Sequence, residues 1–120
     1  MIFIVVTACS SPESKNTEKV LLQPEEFKVK IESGATLIDV RTIEEYADGH
    51  ITGSLNMDVN DPGFNDNVQI LDKSKLYAVY CASGVRSGKA AEFMRTSGFT
   101  NVYTLAGGIK SWKEKGLPVE

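Results

Sequence analysis

A cysteine and an arginine enclose four residues in Cys81-Ala82-Ser83-Gly84-Val85-Arg86-Ser87, and no other stretch of the chain is better suited to chemistry. A free cysteine ionises near pH 8.5, so little of it is nucleophilic thiolate at neutral pH. A short loop that turns its backbone amides inward makes an anion-binding nest, and Gly84 is free to take the positive φ such a loop needs. A helical pattern follows the loop, which aims the positive end of a helix dipole at the same place. A drop of about two pKa units, worth roughly 2.7 kcal/mol, would make the thiolate dominant. The competing reading of Cys81 is a buried structural cysteine at a strand end.

The elements that must position this loop are legible on either side of it. Leu37-Ile38-Asp39-Val40, Leu76-Tyr77-Ala78-Val79-Tyr80 and Val102-Tyr103-Thr104-Leu105 read as buried strands. Leu55-Asn56-Met57 is a weaker fourth strand, and Val20-Leu21-Leu22 forms a short edge. Pro24 suits a first helical position, with Phe27 and Ile31 on one face and Gly34 as the stop. Thr42 and Glu45 have capping-box spacing for a short helix through Tyr46 and Ala47. Ala90, Phe93, Met94 and Ser97 share a helical face that ends at Gly98, and Ile109 with Trp112 anchors a last helix ending near Gly116. Asp58 to Asp66, rich in Asp, Asn, Gly and Pro, reads as a surface loop. Strands alternating with helices imply an α/β domain with a mainly parallel sheet, right-handed crossovers and helices on both faces. The loop of Cys81 then lies at the carboxyl end of a strand, where open α/β sheets bind ligands.

Four stretches in order resemble rhodanese-like sulfurtransferases. The active-site loop is Cys81 to Ser87; the upstream motif is Leu37-Ile38-Asp39-Val40-Arg41 with Glu45-Tyr46 and Gly49-His50-Ile51. Gly53-Ser54-Leu55-Asn56 resembles the turn and strand after it, and Leu105-Ala106-Gly107-Gly108-Ile109 with Trp112 resembles the C-terminal motif. The match runs from about Leu22 to Pro118 and departs at Thr52, where the family usually has proline. The resemblance implies a rhodanese-like fold of about five strands. It also implies a sulfurtransferase without cofactor or metal, whose Cys81 thiolate takes the outer sulfur of a donor such as thiosulfate. The resulting persulfide passes that sulfur to cyanide or to a small or protein-borne thiol. The amides of Ala82, Ser83, Gly84, Val85, Arg86 and Ser87 would stabilise both anions.

The remaining candidates have supporting roles. Arg86 is expected to brace the loop by a bidentate pair with Glu45 more than to contact the donor. Asp39 is expected to bond backbone near the site, and Arg41 either faces the donor or makes a structural ion pair. His50 in its Gly-His-Ile turn is expected to be structural, and Trp112 to be core. Three other functions compete. A phosphatase or arsenate reductase on the same fold has one more residue between cysteine and arginine, enough to surround a tetrahedral oxyanion. A binding module would not need Cys81, Gly84 and Arg86, and a thiol-redox protein would form mixed disulfides at Cys81.

The chain has 120 residues, 42% hydrophobic, and a net charge of −3, which suits one ordinary globular domain and argues against a nucleic-acid partner. With one histidine and two cysteines, no zinc site is expected. Residues 1–19 read as a leader and 20–120 as the domain. Met1 to Ala8 is apolar but too short to span a bilayer. Val6-Thr7-Ala8-Cys9 resembles a bacterial lipobox, without the basic residue that usually precedes the apolar stretch. The resemblance implies lipidation of Cys9, a polar tether through Lys19, and attachment at the periplasmic side of the cell envelope through that lipid alone. A cytoplasmic protein with a short apolar N-terminus is the alternative.

Overall fold

The structure, a computed structural model, describes residues 19–120. Residues 1–18 of the leader, and with them the lipidation of Cys9, lie outside the described residues. Five strands, β1 (Leu21–Leu22), β2 (Thr36–Asp39), β3 (Leu55–Asn56), β4 (Leu76–Tyr80) and β5 (Asn101–Leu105), form one sheet in the order β1-β5-β4-β2-β3. Every neighbouring pair is parallel, as the alternation of strands and helices requires. Both edge strands are two residues long, which leaves little unpaired backbone for another chain to join. β4 is central, so the residue after it emerges at the middle of the carboxyl edge.

Among the described residues, five helices cover the sheet: α1 (Pro24–Glu32), α2 (Ile43–Ala47), α3 (Phe64–Gln69), α4 (Val85–Thr96) and α5 (Gly108–Glu114). The period-two alternation of the strands builds two separate cores. Tyr77, Val79 and Cys81 join Ile38, Val40 and Val102 on the face covered by Phe64 and Val68 of α3 and by Ala90, Ala91 and Met94 of α4. Ala78 and Tyr80 join Leu37, Tyr103 and Leu105 on the face covered by Phe27 of α1 and by Ile109 and Trp112 of α5. Burying side chains such as Leu105, Val79 and Met94 contributes roughly 1.5–3 kcal/mol each before entropy is counted.

Two expectations need correction. The stretch Asp58 to Asp66 is not loop throughout, because α3 begins at Phe64. Its helical signal is only the pair Phe64 and Val68 at i and i+4, set among Asn, Asp and Gln. The helix after the active loop begins at Val85 rather than near Ala90, so Arg86 and Ser87 lie in its first turn. Apolar periodicity missed that turn because Val85 is exposed and Arg86 and Ser87 are polar.

Candidate active site

Gly84 caps α4 in a left-handed conformation, φ +118°, and this bend turns the chain back over Cys81. The Gly84 amide donates to Cys81 Sγ at 3.0 Å. Ser87, one helical turn on, places its Oγ 3.4 Å from Sγ and 3.2 Å from the Gly84 carbonyl oxygen. A thiol at Cys81 donates to that hydroxyl, whose own proton goes to Gly84; a thiolate can accept it instead. Burial, the largest single influence, pushes the Cys81 thiol up. The Ser87 hydroxyl and the amides of Ser87, Gly84 and Ser83 outweigh it, and the thiol ionises below its ordinary value. Cys81 is 1% exposed beneath the loop, while Val85 at the rim is 66% exposed.

Residues 82–87 do not form the one nest that their sequence suggests; the structure divides them. Ser83, Gly84 and Ser87 act on the sulfur. Ala82 turns its carbonyl to the Lys110 amide at 3.3 Å. Arg86 turns to Glu45, with bonds of 2.7 and 3.0 Å from its two terminal nitrogens to the two carboxylate oxygens. Glu45 also closes the capping box of α2: its Oε1 accepts from the Thr42 amide at 3.0 Å while its own amide donates to Thr42 Oγ1 at 3.2 Å. The bracing and capping roles coexist. The Arg86 guanidinium holds the Glu45 carboxyl at about 2.

Asp39 and Arg41 lie on the other face of the sheet from the sulfur. Asp39 is in register with Tyr80, so strand alternation puts Val40 and Cys81 together on the opposite face. Arg41 Nη2 donates to Asp39 Oδ2 at 2.6 Å and to the Gly49 carbonyl at 2.7 Å. Of the two readings of Arg41, the structural ion pair is the one observed. The Asp39 carboxylate accepts one backbone bond, from the Arg41 amide at 2.9 Å, and its other partners are side chains. The residue that sequence reasoning missed is Tyr80. Its hydroxyl donates to Asp39 Oδ2 at 2.7 Å, accepts from the Ile51 amide at 3.0 Å and lies 3.0 Å from Ser54 Oγ. A buried tyrosine must find partners for its hydroxyl, and its place directly before Cys81 was the available signal.

His50 stacks on Tyr46 at 3.7 Å, and its Nδ1 lies 2.9 Å from the Tyr46 carbonyl oxygen. Its backbone pairs with Glu120. These are the structural contacts expected of it. Trp112 is core, with its indole N–H donating to the Pro118 carbonyl at 2.9 Å. A cavity of about 190 Å³ is lined by Ile43 of α2, by Asn56, Met57 and Asp58, and by Phe64 of α3, among others.

Residues 23–115 match the family model described as Rhodanese-like domain. The chain belongs to the rhodanese-like family. It is 37% identical over 113 residues to YqhL of Bacillus subtilis, itself uncharacterized, covering 94% of this chain and 86% of that one. It is 33% identical over 92 residues to thiosulfate sulfurtransferase GlpE of Pseudomonas fluorescens, covering 77% of this chain and 83% of that one. Among solved structures, the rhodanese-like domain of the Anabaena Alr3790 protein superposes with a TM-score of 0.75 at 33% identity, over 86% of this chain and 80% of that one. A rhodanese-related protein from Thermoplasma volcanium also gives 0.75, at 35% identity, over 83% and 96%. The rhodanese-like assignment thus extends over fold and sequence together, and its relatives include sulfurtransferases.

Proposed function

We propose that this rhodanese-like protein is a sulfurtransferase that carries sulfane sulfur as a persulfide on Cys81. The observation that carries the reading is the Gly84 amide 3.0 Å from Sγ, backed by Ser87 and the start of α4. In the first step the Cys81 thiolate forms an S–S bond to the outer sulfur of thiosulfate. The S–S bond of thiosulfate breaks, and sulfite leaves with the electron pair. In the second step an acceptor, cyanide or a thiolate, attacks the outer sulfur of the persulfide and restores the Cys81 thiolate. Charge is conserved in each step and no cofactor or metal takes part. The likeness to thiosulfate sulfurtransferase GlpE supports thiosulfate as donor. The partners are therefore a small sulfur donor and a small or protein thiol. Arg86, engaged by Glu45, shapes the loop instead of entering it, which favours sulfur transfer over oxyanion chemistry at Cys81.

The test is a thiosulfate:cyanide assay of purified protein beside Cys81→Ser. Turnover by the first and none by the second is expected; equal rates would remove Cys81 from the mechanism. Attachment to a bacterial membrane through a lipid on Cys9 is a separate proposal, supported by Val6-Thr7-Ala8-Cys9 alone. Metabolic labelling with a radioactive fatty acid should mark the full chain and not Cys9→Ser; a label on both, or on neither, would refute it.

A further inference from the structure

The turn from β5 into α5 contributes no side chain to the sulfur, yet it packs on the backbone that carries the sulfur. The Ile109 amide donates to the Cys81 carbonyl at 2.9 Å and the Lys110 amide to the Ala82 carbonyl at 3.3 Å. These are first-turn amides of a helix, which have no partner within the helix and are free to hold another acceptor. Gly108, φ +64°, makes the approach close: a Cβ there would overlap the Ala82 carbonyl and lie 2.6 Å from the Cys81 oxygen. In a trans peptide the N–H and C=O point in opposite directions, and the chain has no cis peptide among the described residues. Holding the Ala82 carbonyl toward α5 therefore turns the Ser83 N–H the other way.

We propose that the start of α5 is a clamp that positions the sulfur-binding loop, fixing the peptide planes after Cys81 and Ala82 so that the Ser83 amide, and the Gly84 amide that follows it, face Sγ. Gly108 and the amides of Ile109 and Lys110 are positioning groups; they act through the loop and do not touch the reacting atoms. The inference deepens the sulfurtransferase reading and rests on it for its relevance to catalysis. Arg86, in the first turn of α4, is the charged group within electrostatic reach of Cys81, and Glu45 of α2 and Asp58 after β3 act on Arg86 in turn; the Asp39–Arg41 pair lies beyond the sheet. The Lys110 side chain is exposed on α5.

The experiment measures the pH profile of Cys81 alkylation, with thiolate ultraviolet absorbance as a second readout, in wild type, Gly108→Ala, Lys110→Pro and Lys110→Ala. Proline is tolerated in a first helical turn; here it replaces the amide hydrogen that the Ala82 carbonyl accepts with a ring carbon, which breaks the bond and pushes the carbonyl away. Lys110→Ala removes the charge and keeps that hydrogen. The thiol of Lys110→Pro should titrate about one unit above that of Lys110→Ala, and Gly108→Ala should shift the same way, as expected when a hydrogen bond to a charged group is misaligned. Superimposable profiles for Lys110→Pro and Lys110→Ala would overturn the clamp, even if Gly108→Ala failed to fold. Alkylation needs no sulfur donor, so the two readings fail separately. A shifted thiol in a protein that transfers no sulfur overturns only the function; an unshifted thiol in an active protein overturns only the clamp.

Discussion

Two arginine–carboxylate pairs flank the site, and they do different work. Asp39–Arg41 is closed off from water, with side chains 0% and 7% exposed, and it ties β2 to the Gly49 turn and to Tyr80. Glu45–Arg86 is open, with side chains 36% and 29% exposed, and it ties α2 to the first turn of α4. Breaking a buried pair leaves a charge without partner or solvent, whereas an exposed pair gives up little because water replaces it. The buried pair is therefore a fold device and the open pair a loop device. Chemical type alone does not distinguish them; depth does.

The largest effect should come from Arg41→Ala, which strands Asp39 and should cost about 3–5 kcal/mol in urea unfolding. The folded fraction should still alkylate at Cys81, because the pair lies on the far face of the sheet. A cost below about 1 kcal/mol would mean that the buried pair behaves like a surface one. Next is Gly84→Ala. An added Cβ has room there, 3.9 Å from its nearest neighbours, so the cost is conformational: about 1–2 kcal/mol for a left-handed alanine. Alkylation at neutral pH should fall about tenfold as the amide moves off the sulfur. Retained reactivity would show that the nest does not depend on that bend.

Glu45→Gln should reverse the pattern of Arg41→Ala. Stability should fall by about 1 kcal/mol or less, while kcat/KM for sulfur transfer should fall by about tenfold or more as the loop loses its brace. An intact rate would reduce Glu45 to a helix cap. The smallest effect is in acid. The Glu45 pKa is lower in the folded protein than in the unfolded chain, so its contribution is present above the unfolded value near 4.3 and is lost as pH falls toward about 2. Unfolding free energies of wild type and Glu45→Gln should converge over that interval; a gap that persists below it would assign the difference to packing.

Much of this was legible because several signals agreed in the same places. Pro24, Thr42 with Glu45, and Gly98 mark helix ends by local backbone chemistry, which survives without knowledge of the fold. β4 was readable residue for residue, since a strand buried on both faces has no polar interruption. Phe64–Gln69 was not readable, because two apolar residues in a polar run give too little periodicity. The first turn of α4 was hidden for a related reason: Arg86 and Ser87 serve the site, not the core. The choice between donor contact and ion pair for Arg41 required register. Only the pairing of Asp39 with Tyr80 sends Arg41 away from the sulfur.

The proposed chemistry depends on sulfur held at Cys81 under the Gly84 amide. Incubating the protein with thiosulfate, removing the excess and measuring intact and peptide masses tests it most directly. A gain of one sulfur atom is expected on the peptide containing Cys81, removed by cyanide and absent from Cys81→Ser. An unmodified Cys81 peptide, or a sulfur gain that survives in Cys81→Ser, would contradict it.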